Sequence, residues 1–233
     1  MDKQISRLVK LYDDVIKNTL NNAEQSEDRA LGGVLRAEKG NLVEILAGEM
    51  VKIAWVKVLK EPLIRLTIDK KKTEITMKEG YVDTLEDEVL KNHLIKNKDK
   101  YSYKFGTDVQ VRIDGNMALA IECKSYTENA MMKRIIFDAN LMHEAFRVKK
   151  YYLLQLESQL GGDYSSLATP TFGSPATNVL LSRSNVPIVI ITLVKGERKV
   201  KMPIHNPKYY KPINENQIKK AIDIFSIALK EFV

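Results

Sequence analysis

Residues 105–124, FGTDVQVRIDGNMALAIECK, constrain the chain most, because they read as one β-hairpin with a charged face. In the first arm Val109, Val111 and Ile113 alternate with Asp108, Gln110 and Arg112, the period-2 pattern of a half-buried strand. In the second arm Met117, Leu119, Ile121 and Cys123 alternate with Ala118, Ala120, Glu122 and Lys124. Asp114, Gly115 and Asn116 between the arms are turn formers, since each tolerates or favours the left-handed backbone that tight hairpins need.

Register decides which side chains meet. A two-residue loop would pair Ile113 with Asn116 and, carried along regular strands, mix apolar and polar residues on both faces. A three-residue loop pairs Ile113 with Met117, Val111 with Leu119 and Val109 with Ile121, so the apolar residues share one side. That register sets Asp108 opposite Glu122, with β-carbons about 5 Å apart, and Lys124 one step further on the same face. Ala118 and Ala120 are expected to leave that face open.

Two carboxylates so close repel unless a positive charge stands between them. A hard divalent cation suits carboxylate oxygens, and Mg²⁺ or Mn²⁺ commonly takes one or two of them while keeping waters and substrate phosphate oxygens. A neighbouring lysine can orient an attacking water and offset charge on a phosphate in the transition state.

This arrangement resembles the PD-(D/E)XK nuclease superfamily, in which one strand opens with Asp and the next closes with acid-x-Lys. By that resemblance Asp108, Glu122 and Lys124 are the catalytic set, and Thr107 stands where the family name has proline. The segment KGNLVEILAGEM resembles the first core helix of such enzymes through Gly40, Glu44 and Ala47. Glu44 is then either a solvent-facing helical glutamate or, as the resemblance implies, a metal ligand beside Asp108 and Glu122, with Glu49 as a rival. The implied fold is α/β, a restriction-endonuclease-like core with a mixed central β-sheet flanked by helices.

Composition agrees with such a chain. With 233 residues, 44% of them apolar, it can bury one sizeable core. One domain over 1–233 is expected: a helical extension at 1–28, the catalytic core at 40–195, and a C-terminal hairpin and helix at 196–233. A net charge of +7 suits a polyanionic partner. The lone Cys123 excludes an internal disulfide and fits a reducing cytoplasm. His93, His143 and His205 are too scattered for a zinc motif, and no signal segment or membrane-spanning run is present.

In chain order, residues 3–20 have helical apolar spacing, and 21–28 form a polar break. A second helix from Arg29 is expected to break at Gly32-Gly33 and near Gly40, then run to about Leu59, with Pro62 ending it. Residues 63–80 read as a hairpin with a basic tip at Lys70, Lys71 and Lys72, either a solvated turn or a phosphate contact. A short helix over 83–96 follows, then Lys104, with Tyr101, Tyr103 and Phe105 starting the charged hairpin's first arm. Ser125-Tyr126-Thr127 should cap a helix over 128–147 whose core face carries Met131, Ile135, Leu141, Met142, Ala145 and Phe146. Residues 150–157 and 187–194 are continuous apolar runs, as in strands buried on both faces. The long link between them, 161–183, contains a helix from Ser174-Pro175 to Leu181. It is either a plain surface loop or a DNA-facing element offering Tyr164, Ser165, Thr169 and Arg183. A hairpin at Lys195-Gly196-Glu197 leads to 199–202, and Asn214 with Gln217 forms a capping box for the last helix.

The expected function is Mg²⁺-dependent hydrolysis of double-stranded DNA, with Mn²⁺ able to substitute, by a homodimeric type II restriction endonuclease leaving 5′-phosphate and 3′-hydroxyl ends. The alternatives are a structure-selective or repair nuclease of the same fold, and a non-catalytic DNA-binding protein on a decayed nuclease fold.

Overall fold

The computed structural model describes residues 1–23, 29–166, 171–204 and 206–233. Its centre is a five-stranded sheet in the order β1-β4-β5-β6-β7, made of β1 (Leu66–Asp69), β4 (Val109–Ile113), β5 (Asn116–Glu128), β6 (Tyr151–Gln159) and β7 (Ile188–Thr192). The pairs β1–β4 and β4–β5 are antiparallel, whereas β5–β6 and β6–β7 are parallel, so the sheet is mixed and the fold is α/β. Parallel neighbours need a crossover. Helix α4 (Asn129–Phe146) supplies the first, and the link containing α5 (Pro175–Leu181) supplies the second.

The period-2 geometry of β5 divides the core in two. Leu119, Ile121 and Cys123 join the larger cluster with α1 (Asp2–Ala23), α2 (Arg29–Ile53) and α6 (Glu215–Leu229), while Ala120 packs with Met132, Ile135, Ala139 and Met142 of α4. Strand β6 serves both layers: Tyr152, Leu154 and Leu156 face the first, Tyr151 and Leu153 the second. Eight consecutive buried residues there match the unbroken apolar run.

Several local expectations are corrected. Helix α2 is continuous through Gly32, Gly33 and Gly40. A helical glycine costs only about 1 kcal/mol, and the buried stripe Leu42, Val43, Leu46, Ala47, Met50 and Val51 outweighs that. The helix then widens into a π-helical turn over Ala54–Val58, which seats Trp55 in the core with its indole N–H on the Pro62 carbonyl at 3.0 Å. Residues 63–80 are not a hairpin: β1 pairs with β4, whereas β2 (Thr73–Thr76) pairs with β3 (Ser102–Phe105) in a separate two-stranded sheet. Tyr103 and Phe105 therefore belong to that small sheet, Tyr101 lies just before it, and α3 (Glu88–Lys96) lies between its strands in sequence.

Ser125, Tyr126 and Thr127 extend β5 because they pair alongside β6, and no side chain caps α4. The buried face of α4 sits one residue from the expected one at its start, with Met132 inside, and Ala145 is exposed. Residues 199–202 form no strand; among the described residues beyond β7 only single bridges occur, Ser158 to Glu197 and Val194 to Ile213. Asn214 caps α6 by accepting from the Asn216 N–H, but Gln217 is buried and makes no reciprocal bond, so there is no capping box. Thr169 and His205 lie outside the described residues.

The charged hairpin reaches its expected register by a different route. Asp114 and Gly115 both have positive φ (49° and 83°), as a two-residue type I′ turn requires, and Ile113 pairs with Asn116. The parity error is then absorbed: Arg112 pairs with Met117 but Val111 with Leu119, leaving Ala118 as the extra residue of a β-bulge. Beyond it Val109 faces Ile121, as the apolar pattern demanded. Ala118 consequently packs with the larger core and Met117 with the smaller, so Ala120 alone flanks the charged residues on their face.

Candidate active site

Asp108 immediately precedes β4, and its placement is fixed by the strand it faces. Its Oδ2 accepts the Cys123 backbone N–H at 2.8 Å and the Lys124 ammonium at 3.0 Å. Lys124 Nζ also lies 2.5 Å from Glu122 Oε1. One ammonium therefore joins the two opposed carboxylates, standing between them rather than one step beyond. The site is graded in depth: the Glu122 side chain is only 7% exposed, whereas Asp108 and Lys124 are 29% and 31% exposed. Glu122 is the wall of the site, and the other two are its mouth.

Electrostatics follow from that gradient. Burial pushes the Glu122 carboxyl above its ordinary range; Lys124 opposes this, and the Asp108 charge adds to it. Burial alone would lower the Lys124 ammonium, but Glu122 and Asp108 outweigh it and hold it above its usual value. Lys124 is thus a fixed cation at neutral pH. The buried Tyr151 hydroxyl is pushed well above its usual range by burial and then by Glu122, so it stays protonated and donates to Glu122 Oε2 at 3.4 Å.

Two residues of this neighbourhood escaped the sequence reading. Tyr151 begins β6 opposite Ala120, and Asp138 projects from the buried face of α4. Burial raises the Asp138 carboxyl despite Arg134 at 3.6 Å, and Asp138 interacts electrostatically with Lys124, Asp108, Glu122 and Tyr151. A signal for it existed: it is the lone acid within the apolar stripe Met132, Ile135, Ala139 and Met142. Thr107 is buried and donates to the Val109 carbonyl at 3.1 Å, tying down the residue before Asp108.

Glu44 lies on α2 with its carboxylate on the Lys70 ammonium, and both side chains carry charges felt at Cys123. Glu49, the rival, forms a surface pair with Lys52 at 2.7 Å. Among the described residues, no three of His, Cys, Asp and Glu are gathered closely enough to hold a metal ion. The oxygen donors Asp108 and Glu122 are nonetheless both within 3.0 Å of one positive charge, and a hard cation needs no more than one or two protein carboxylates when water and phosphate complete its shell. The residues fit such an ion.

Lys70, Lys71 and Lys72 connect β1 to β2, beside the start of β4. Lys104 is exposed on β3, 3.8 Å from Glu74. The link after β6 abuts the other side: Asn129, the first residue of α4 just beyond β5, donates to Ser174 at 3.3 Å. The basic turn and this link therefore both lie toward the end of the sheet at which β5 carries Lys124. Within the link Tyr164 is half-buried and Arg183 exposed, but Ser165 is buried with its hydroxyl on Asp163 at 2.5 Å, so its hydrogen bond is used inside the loop. No described helix is long and apolar enough to cross a membrane.

No protein-family model matches the chain, and no solved structure matches it. The type II restriction enzyme DdeI of Desulfomicrobium norvegicum is 40% identical over 234 residues, covering 99% of this chain and 98% of that enzyme. Asp108, Glu122 and Lys124 thus sit in a chain alike from end to end, not in a shared fragment. At 40% identity over this span, the chain belongs to the type II restriction enzyme family of DdeI.

Proposed function

We propose that the protein is a restriction endonuclease of the PD-(D/E)XK kind, hydrolysing phosphodiester bonds of double-stranded DNA at a specific sequence. It uses Mg²⁺, with Mn²⁺ able to replace it, and leaves 5′-phosphate and 3′-hydroxyl ends. The observation that carries this reading is the Lys124 ammonium held between Asp108 and Glu122 across β4 and β5, in a chain 40% identical to a type II restriction enzyme. Kinship with DdeI favours site-specific cutting over structure-selective or repair cleavage.

Asp108 and Glu122 would hold the cation, with Glu44 as a third carboxylate. When bound, such an ion polarises a phosphoryl oxygen and acidifies a water. The chain's own residues do the rest. Lys124, kept charged by its two carboxylates, offsets negative charge developing on the phosphate. The Cys123 N–H fixes Asp108, and Tyr151 fixes the second oxygen of Glu122, so both acids are oriented before substrate arrives. Lys71, Lys72, Lys104 and Arg183 are exposed cations suited to backbone phosphates, and the net charge of +7 draws the duplex in. Cutting both strands with one site per chain calls for a two-fold homodimer. The reducing cytoplasm suits the free, buried Cys123.

Asp108→Asn tests the reading, because a neutral amide is a poor ligand for a hard cation yet can still accept the Cys123 N–H. Wild type should cleave plasmid DNA at defined sites only with Mg²⁺ or Mn²⁺, and its melting temperature should rise with either ion. The variant should lose both properties while still binding DNA. Cleavage by wild type in EDTA would overturn the proposal.

A further inference from the structure

The carboxylates of the site are covered by two lysines that differ in what else they can reach. Lys124 stands on the central strand, one-third exposed and bound on two sides. Lys70 stands at the edge, with 61% of its side chain exposed, first in a run of three lysines. The backbone of its turn is fastened: the Lys71 N–H donates to Asp69 Oδ1 at 3.0 Å, and the Lys71 carbonyl accepts from Gln110 Nε2 at 2.7 Å. The exposed Lys70 stem, by contrast, is held at its ammonium. Its ammonium rests on Glu44, whose side chain is just 18% exposed, and its charge is also felt at Asp108.

We propose that Lys70 is a positioning residue that occupies Glu44 in the free protein and gives it up when a DNA phosphate takes the ammonium, so that duplex binding completes the cation site. This rests on the nuclease reading above. An exposed ion pair of this type shifts an equilibrium by about fivefold or less, so it can be exchanged. A phosphate oxygen offers Lys70 an equivalent charge-assisted bond, so the exchange leaves no ammonium unpaired. Glu44, largely buried and left without its counter-charge, then becomes an anionic oxygen donor in want of a cation. By linkage the coupling is reciprocal: cation bound at Glu44 releases Lys70 and tightens DNA by the same factor.

Calorimetric titration of Ca²⁺, a hard cation taking the same oxygen donors, tests this with and without a short mixed-sequence duplex. Lys70→Gln should bind Ca²⁺ tighter than wild type in free protein, by up to about fivefold. Duplex should tighten Ca²⁺ binding to wild type and do little for the variant. Lys71→Gln removes the same charge one residue along and reports the general field effect. In a Glu44→Gln background the Lys70 substitution should have no effect beyond that of Lys71→Gln, which isolates the pair. Equal effects of the two lysine variants, or a Lys70 effect that still exceeds that of Lys71→Gln without Glu44, would refute the coupling while leaving the nuclease reading intact. Failure of wild type to bind any divalent cation, with or without duplex, would remove the nuclease reading itself.

Discussion

Replacing Lys124 with Met removes the one cation shared by Asp108 and Glu122 while keeping the stem's bulk. At 2.5 Å and 3.0 Å the gross attractions are about 6.6 and about 5.5 kcal/mol at an effective dielectric of 20. Desolvation offsets most of that, and breaking such a buried pair typically costs about 3–5 kcal/mol. The lower end applies because Asp108 and Lys124 are nearly one-third exposed, so about 3 kcal/mol is expected at pH 8. For a chain of this size that corresponds to a fall in Tm of roughly 6–12 °C. The deficit should depend on pH with a definite sign. Without Lys124 the Glu122 carboxyl rises further above its ordinary value, so the folded state holds a proton that the unfolded state has released. Stability is then greatest below the ordinary glutamate range and falls as pH rises through the folded-state value. The gap between variant and wild type should accordingly shrink between pH 8 and pH 5, read by thermal melts in matched buffers. A gap independent of pH, or none at pH 8, would refute the claim that Lys124 neutralises a buried carboxylate.

Asp138→Asn should weaken Mn²⁺ binding severalfold without lowering Tm at pH 8, because burial raises this carboxyl and Arg134, 83% exposed, compensates little. Melting and metal titration on the same preparation check both halves, and a Tm loss at pH 8 would show the buried charge to be well compensated. Sedimentation of the protein bound to a cleavable duplex should give two protomers per site; a single protomer would point to sequential nicking of each strand.

The charged hairpin was legible because its information is redundant. Period-2 apolar residues on both arms demanded that Val109 meet Ile121, and that pairing places Asp108 across from Glu122 whatever the turn does. The turn itself was misjudged because Asp-Gly satisfies a two-residue loop locally, and the sheet restores parity with a bulge at Ala118 that has no sequence mark beyond a small side chain. The same reasoning separates the other outcomes. The long apolar runs of β6 and β7 carry their own evidence, as does Ser174-Pro175, whose hydroxyl caps α5 on the Thr177 N–H. β1 and β2 have four residues each, too few for pattern to choose a partner, so sequence neighbours were paired where tertiary contacts pair them elsewhere.

Charges were the least legible of all. Register places the two carboxylates, and their repulsion calls for a positive charge between them, but the lysine two residues on reaches back to fill that position. Asp138 shows the complementary error: within an apolar stripe a lone acid looks like noise until the strand it faces is known to carry Lys124. Side-chain reach is set by several rotatable bonds that backbone periodicity does not encode, and a site of two or three charges is decided by that reach. The ammonium groups of Lys70 and Lys124 offset two of the three carboxylate charges of Asp108, Glu122 and Glu44. Under the proposed nuclease reading, such a site folds without a cation, and the same lysines are then available for phosphate when DNA and metal arrive together.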